Sequence, residues 1–552
     1  MRLLFVFLFL PFALSGQPPV DRYQADLFGV SETNDITFSA GIPQPNPGGG
    51  FYEFVTGYPL NVDEFDTSPV DLKMDIFQPN GDTLQKRPLV IVCFGGGFLS
   101  GSKDHWSIRL ICENLAKRGY VAVAIDYRLG MNIFDSDLAN RAVYRGLQDA
   151  RSAVRFFRAD ADNANIYKID PDHIFIGGHS SGGFMALHNA YLDKETERPL
   201  STYEWVQDGN IIPDQGCIDC VGDNVGYNGQ ANAIFSLAGA LGFTSFIEAG
   251  SDPKVVMFHS TDDGTVPYDS GDPFSSILWL VVGSDLPVVY GSLPISEQAD
   301  VVGLPYDFFS YTNRGHDVHE ASSSSLYSDI MPGISDWFFE EELKPFYSAL
   351  EGDSIVCSNE LIKNYELGNG EGVYFDWDVV GGTITNPSNF SNQATVSWNQ
   401  AASNHSISVI PYNQMDAKGD ELSLSIALHP HDQNVFLHAD PNWSDPLNWT
   451  LSHPPIVCED VTISNSTLPF DIILSNQTEI NSLSVDSEMH IILNASLSIH
   501  QKNTLAIFPA LNLIGDLTNY STLTISNNAT GKNVIISPSA TLNNNGEIVI
   551  KD

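Results

Sequence analysis

A serine with glycines two residues before and two after it, Gly178-His179-Ser180-Ser181-Gly182, stands between an apolar strand-like run, His173 to Gly177, and a helix-like run, Gly182 to Leu192. A strand-to-helix turn that displays a serine is strained and crowded, so it needs small neighbours at those two positions, and it leaves the hydroxyl exposed as a nucleophile. Ser181 fails the same test, because His179 lies two residues before it. A serine hydroxyl is a weak nucleophile until a neighbouring base takes its proton and a third group orients that base. The acid is expected just past a later strand, where Val255 to Tyr268 (VVMFHSTDDGTVPY) offers both Asp262 and Asp263. The base is expected last, in Arg314-Gly315-His316-Asp317-Val318-His319, which follows the strand-like Tyr306 to Tyr311. His316, directly after a glycine, is favoured over His319. A lone histidine is more often structural than catalytic, but this one arrives after two other matched loops.

Upstream, the apolar run Pro88 to Cys93 leads into Phe94-Gly95-Gly96-Gly97-Phe98. Three glycines let a loop turn its N–H groups towards one point, where they can stabilise a developing oxyanion. Gly96 and Gly97 are the candidate donors, with the N–H of Ser181 as a further one. The glycine cluster matches neither the dinucleotide fingerprint nor the P-loop, which disfavours a phosphate cradle. The chemistry assembled is acyl transfer, for which no cofactor and no metal is needed. His429, His431 and His438 lie close in sequence, but their spacing fits no zinc pattern.

The elements that must position these residues alternate. From about Val70 to Phe346, strand-like runs (Pro88 to Cys93, Tyr120 to Tyr127, His173 to Gly177, Ala233 to Leu237, Val255 to His259, Tyr306 to Tyr311) are separated by helix-like ones (Ser107 to Arg118, Ala139 to Arg158, Gly182 to Leu192, Ser325 to Phe346). Continuous apolar strands between helices predict an α/β fold with a doubly wound, mainly parallel sheet. The chain order Ser, Asp, His is the one used by the α/β-hydrolase fold.

On these motifs, residues of about 20 to 346 resemble the bacterial α/β-hydrolase carboxylesterases of the HGGG type. The resemblance also rests on LKMDIFQP (Leu72 to Pro79), RGYVAVAIDYRLG (Arg118 to Gly130), GLQDARSAVRFF (Gly146 to Phe157) and IDPDHIFIGGHSSGG (Ile169 to Gly183). It implies hydrolysis of carboxylic esters with Ser180 as nucleophile, His316 as base and Asp263 as acid, Asp262 being the alternative. Asp263 is chosen because the family places its acid four residues after the strand-ending histidine, here His259, and three before a Val-Pro. Phe94 stands where the family has the histidine of HGGG, which concerns the loop's hydrogen bonding and not the nucleophile.

Beyond about Gly352 the texture turns to Asn, Ser and Thr with short alternating apolar stretches, which predicts all-β modules. The expected layout is a signal peptide over 1–16, a catalytic domain over 17–350, a small β-sandwich over 355–428 and β-solenoid-like repeats over 435–552. The sandwich segment resembles PKD-like modules through Trp377, Gly381, Gly382 and Trp398. Arg2 followed by the apolar run Leu3 to Leu14 has the layout of a secretory signal, so a secreted or cell-surface protein without membrane insertion is expected. Export would permit a local disulfide between Cys217 and Cys220, whereas Cys93 and Cys112 fall in apolar runs and read as buried thiols. With 68 acidic against 26 basic residues, a net charge of −42, the charge argues against nucleic acid and anionic membrane as partners. Three function classes remain: an esterase on small or polysaccharide-linked esters, a serine peptidase on the same fold, and a surface binding or adhesion protein whose C-terminal modules contact carbohydrate or cells.

Overall fold

The computed structural model describes residues 21–47, 60–207, 209–274, 284–320, 325–437, 442–463 and short stretches between 471 and 551. The expected signal peptide and His438 lie outside the described residues. The chain forms two compact units, Met1–Lys344 with Asn413–Lys418, and Pro345–Tyr412 with Gly419–Asp552.

The first unit is built on one eight-stranded sheet. Its strands are β1 (Gly29–Pro47), β2 (Val62–Asn80), β3 (Arg87–Cys93), β4 (Val121–Ile125), β5 (Ile169–His179), β6 (Ala233–Leu237), β7 (Lys254–Ser260) and β8 (Tyr306–Tyr311), in the order β1-β2-β4-β3-β5-β6-β7-β8. From β4 to β8 every pairing is parallel, while β1 with β2 and β2 with β4 are antiparallel. Every residue of β3, β4 and β6 is buried, as a strand covered on both faces requires, and this is why they read as unbroken apolar runs. Helices α1 (Trp106–Arg118), α2 (Ser136–Asp162), α3 (Ser181–Tyr191), α4 (Ser292–Val302) and α5 (Met331–Phe338) flank the sheet. This strand order is that of an α/β-hydrolase fold.

The sheet starts earlier than expected. The β1–β2 ribbon pairs Gly29 with Asn80 and Pro47 with Val62 through several bulges. Most of β1 is exposed, so its polar sequence carries no apolar run to betray it. A second difference concerns residues 413–418, which the sequence assigned to the 355–428 sandwich. Met415 and Ala417 are buried in the core of the first unit, and the Tyr23 hydroxyl donates to the Met415 carbonyl at 2.7 Å.

In the second unit, Leu350–Gly352, Ile362–Leu367, Gln393–Trp398 and Gly382–Ile384 form an antiparallel sheet, and Gly372–Val380, Ser406–Asn413 and Leu422–Ser425 another. Tyr365, Val396, Trp398, Ile407 and Val409 share one core, in which Trp398 Nε1 donates to the Tyr365 hydroxyl at 3.0 Å. Further on, strands stack in three parallel ladders; in one of them Leu497 pairs with Leu523 and Leu523 with Ile548. A disulfide joins Cys357 to Cys458.

Candidate active site

Ser180 occupies the turn between β5 and α3 with φ 52° and ψ −118°. A residue with a side chain adopts a positive φ only where its surroundings impose it. The Ser180 N–H donates to the Leu237 carbonyl at 2.8 Å, and the Ser180 carbonyl accepts from Phe184 N–H at 3.0 Å. The two glycines have a steric cause as well: a Cβ at Gly178 or at Gly182 would come within 2.2 Å of the Cys93 carbonyl oxygen. The end of β3 therefore dictates the glycine spacing around the serine.

The sheet order turns back at β3, whose neighbours are β4 and β5, and such a switch point opens a crevice at the carboxyl ends of the strands. The loop after β3 and the elbow after β5 meet there. Gly96 and Gly97 have φ 142° and 62°, angles that glycine adopts without strain. Gly97 lines a pocket together with Ser180 and Ser181. A Cβ on Gly96 would lie 2.0 Å from the Ser100 carbonyl oxygen. Ser181 opens α3, so its N–H has no acceptor within the helix and lies at the positive end of the helix dipole.

Tyr127, which sequence reasoning passed over although it lies in the quoted IDYR run, ties these two loops together. Its hydroxyl donates to the Phe94 carbonyl at 3.0 Å and is 3.0 Å from Ser181 Oγ. With its one proton given to Phe94, it accepts from the serine. The Phe94 ring stacks on the Tyr127 ring, centroids 4.2 Å apart. Burial pushes the Tyr127 phenol pKa up, so it stays neutral.

The carboxyl ends of β7 and β8 are paired, Ser260 with Tyr311, and the loops that follow bring Asp263 and His316 together. Asp263 Oδ2 is 2.8 Å from His316 Nδ1, and Oδ1 accepts from the N–H groups of Thr265 and Val266 at 2.8 and 2.9 Å. Burial opposes the charge of Asp263, but hydrogen bonds from His259 and His316, the His316 charge and the Val266 N–H outweigh it and hold the carboxyl well below the usual range. Asp262 turns elsewhere, accepting from Ser260 Oγ at 2.5 Å and from Gly315 N–H at 3.4 Å. His319 is buried with Nε2 3.1 Å from Ser107 Oγ. His179 bridges the elbow and the histidine loop: its Nε2 donates to the His316 carbonyl at 3.3 Å, and its ring centroid is 4.8 Å from that of His316. Burial, followed by the neighbouring His319 and His316, holds the His179 pKa well below the ordinary imidazole value.

The pocket over Ser180 is walled by Phe98, Met131, Val143, Phe184, Phe274 and Leu286, among other apolar residues. Pro273, Phe274, Leu286, Pro287 and Val289 come from the segment between Tyr268 and Gly303. A disulfide joins Cys217 to Cys220 in a segment that packs on α2, where Asp219 pairs with Arg151 and Arg155 at 2.8 and 2.7 Å. Among the described residues no group of His, Cys, Asp and Glu is arranged to hold a metal, and no helix is long and apolar enough to cross a membrane.

The model of the BD-FAE family matches residues 74–278, a span that contains Ser180 and Asp263. Among curated proteins, the chain is 35% identical over 133 residues to Neuroligin-like protein glit-1 of Caenorhabditis elegans, covering 23% of this chain and 16% of that protein. It is 28% identical over 219 residues to Gut esterase 1 of Caenorhabditis briggsae, covering 38% of this chain and 36% of that protein. The chain thus spans about a third or less of the length of these relatives. Among solved structures, esterase Est2 of Thermogutta terrifontis is similar at 24% identity over 49% of this chain and 88% of that one, with a TM-score of 0.35.

Proposed function

We propose that the first unit is a serine carboxylesterase, with Ser180 as nucleophile, His316 as general base and acid, and Asp263 as the acid that orients it. The observation that carries this reading is a serine held at positive φ on the floor of an apolar pocket, in a unit whose adjoining loops pair a histidine with a buried carboxylate. The resemblance to Gut esterase 1 supports it.

In this mechanism His316, with Nδ1 engaged by Asp263, presents Nε2 from the opposite edge of its ring and takes the proton of Ser180 as Oγ attacks the ester carbonyl. Asp263 stays ionised and stabilises the imidazolium. The N–H groups of Ser181 and Gly97, with Gly96 as the further candidate, donate to the oxyanion of the tetrahedral intermediate. His316 returns the proton to the departing alcohol, leaving Ser180 acylated. Water, activated by the same histidine, then releases the acid. The apolar pocket holds the acyl group, and the alcohol, a small molecule or a polysaccharide, remains on the solvent side. The chain is exported through its N-terminal signal, and its second unit carries a β-sandwich and a β-solenoid that contact carbohydrate or the cell surface.

The test is hydrolysis of p-nitrophenyl acetate, butyrate and octanoate by the protein beside its Ser180→Ala variant. Turnover by the parent alone is the expected result. Absence of turnover in both overturns the esterase reading.

A further inference from the structure

A second pocket adjoins the first between α2 and α3, lined by Asn140, Tyr144, Leu147, His188, Leu192 and Phe246, among others. Val143 lines both pockets. The helix periodicity explains how. On α3, Phe184 lines the first pocket and His188 the second, and residues four apart stand one above the other on a helix face; Leu192, just past the end of α3, lines the second pocket too. On α2, Ala139 lines the first and Leu147 the second, with Val143 midway between them. The two pockets therefore lie one behind the other along both helices, with Val143 between them. The first begins at Ser180.

The partition is thin. Val143 contributes its side chain from α2, and from α3 the Phe184 ring lies nearly parallel to that of His188, at 8° with centroids 6.4 Å apart. His188 is fixed as a neutral, apolar-facing wall: Nδ1 donates to the Phe184 carbonyl at 2.8 Å and Nε2 accepts from Gly242 N–H at 3.2 Å. The second pocket ends at Phe243, a large apolar side chain that is 59% exposed. No catalytic group lies in it, and the mechanism above makes no use of it.

We propose that this second pocket is a distal acyl-chain compartment and that Val143 is the stop that closes it off, so that Val143 sets the longest acyl group Ser180 accepts. The inference rests on the esterase reading and adds a specificity-determining residue to it. A straight alkyl chain attached to Ser180 and running along α3 meets Val143 and the Phe184 ring before it reaches His188. Short chains fit the first pocket alone. Longer ones need the space behind it.

The experiment is the ratio of kcat/KM for p-nitrophenyl octanoate to that for the acetate, measured on the parent, Val143→Ala and Val143→Ile. Removing two methyl groups from the partition is expected to raise the octanoate-to-acetate ratio by about tenfold or more, since one methylene in an apolar pocket is worth roughly that much. Val143→Ile is expected to lower the butyrate-to-acetate ratio. A further Phe243→Asp substitution, which places a charge at the mouth of the second pocket, is expected to cancel the gain of Val143→Ala. Circular-dichroism melting identifies a variant that has unfolded, and if Val143→Ala does, the isoleucine variant carries the test. Unchanged ratios in a variant that still hydrolyses acetate overturn this inference and leave the esterase reading standing. A parent inactive on all three esters overturns both.

Discussion

His259 and His316 share one carboxylate oxygen: Asp263 Oδ2 is 3.2 Å from His259 Nε2 and 2.8 Å from His316 Nδ1. His259 is fully buried, with Nδ1 3.0 Å from Ser292 Oγ. Its Nε2 faces two acceptors, the Asp263 carboxylate and the Val266 carbonyl at 3.2 Å, so that nitrogen carries the proton. The second histidine therefore competes for the negative charge that His316 uses.

Replacing His259 with Leu, which has no hydrogen-bond donor, is expected to lower kcat about tenfold, the size of one hydrogen bond to a charged group. A carboxylate relieved of one donor attracts the His316 proton more strongly, so the acid limb of the kcat/KM profile is expected to move to higher pH. A merely structural histidine would lower activity without moving that limb.

Asp263→Asn is expected to cost roughly 10³ to 10⁴ in kcat, because it removes the negative charge and favours the wrong imidazole tautomer. Asp262→Asn is expected to stay within about threefold of the parent, since an exposed substitution away from the reacting groups acts weakly. Steady-state kinetics on one short ester separates the two. Equal losses would overturn the assignment of the acid.

Tyr127→Phe removes the hydroxyl that joins the Phe94 carbonyl to Ser181 Oγ while keeping the ring that stacks on Phe94. The expected loss in kcat is about tenfold, one hydrogen bond's worth of oxyanion-loop positioning. The acyl-length preference should not change, because the phenol does not border the acyl pocket. A shifted preference would place Tyr127 in substrate binding instead.

Stability should depend on pH through His188. Burial pushes its pKa down from 6.5 to about 4. Between those values the unfolded chain binds a proton that the folded protein does not, so folding stability is lost as pH falls from about 6.5 to 4, by up to about 1.4 kcal/mol per pH unit. Denaturant titrations at pH 7, 6 and 5 should show this slope in the parent and a shallower one in His188→Gln. Identical slopes would mean that another group governs the acid limb.

The strands β3 to β7 were legible because burial on both faces writes itself as an unbroken apolar run, and the elbow was legible because the Cys93 carbonyl admits only glycine at positions 178 and 182. The β1–β2 ribbon was not, since its exposed residues are polar and its pairing depends on partners 15 to 51 residues away. Asp262 and Asp263 are the same chemistry in adjacent places. What separates them is a turn in which Thr265 and Val266 N–H groups hold one carboxylate oxygen and leave the other for two histidines. Tyr127 and His259 were visible only as members of strands. Their roles depend on which loops the sheet order brings side by side, and residue spacing does not encode that.

Four of the six cysteines are joined in disulfides, and the remaining two, Cys93 and Cys112, are both buried in the first unit. Burial raises the pKa of both thiols, so neither the thiolate nor a route to it is available in the folded state. The protein thus carries its own unfolding clock. A thiol-reactive dye added during thermal or denaturant challenge would report the opening of the first unit alone and stay blind to events in the β-rich unit, whose cysteines are already paired.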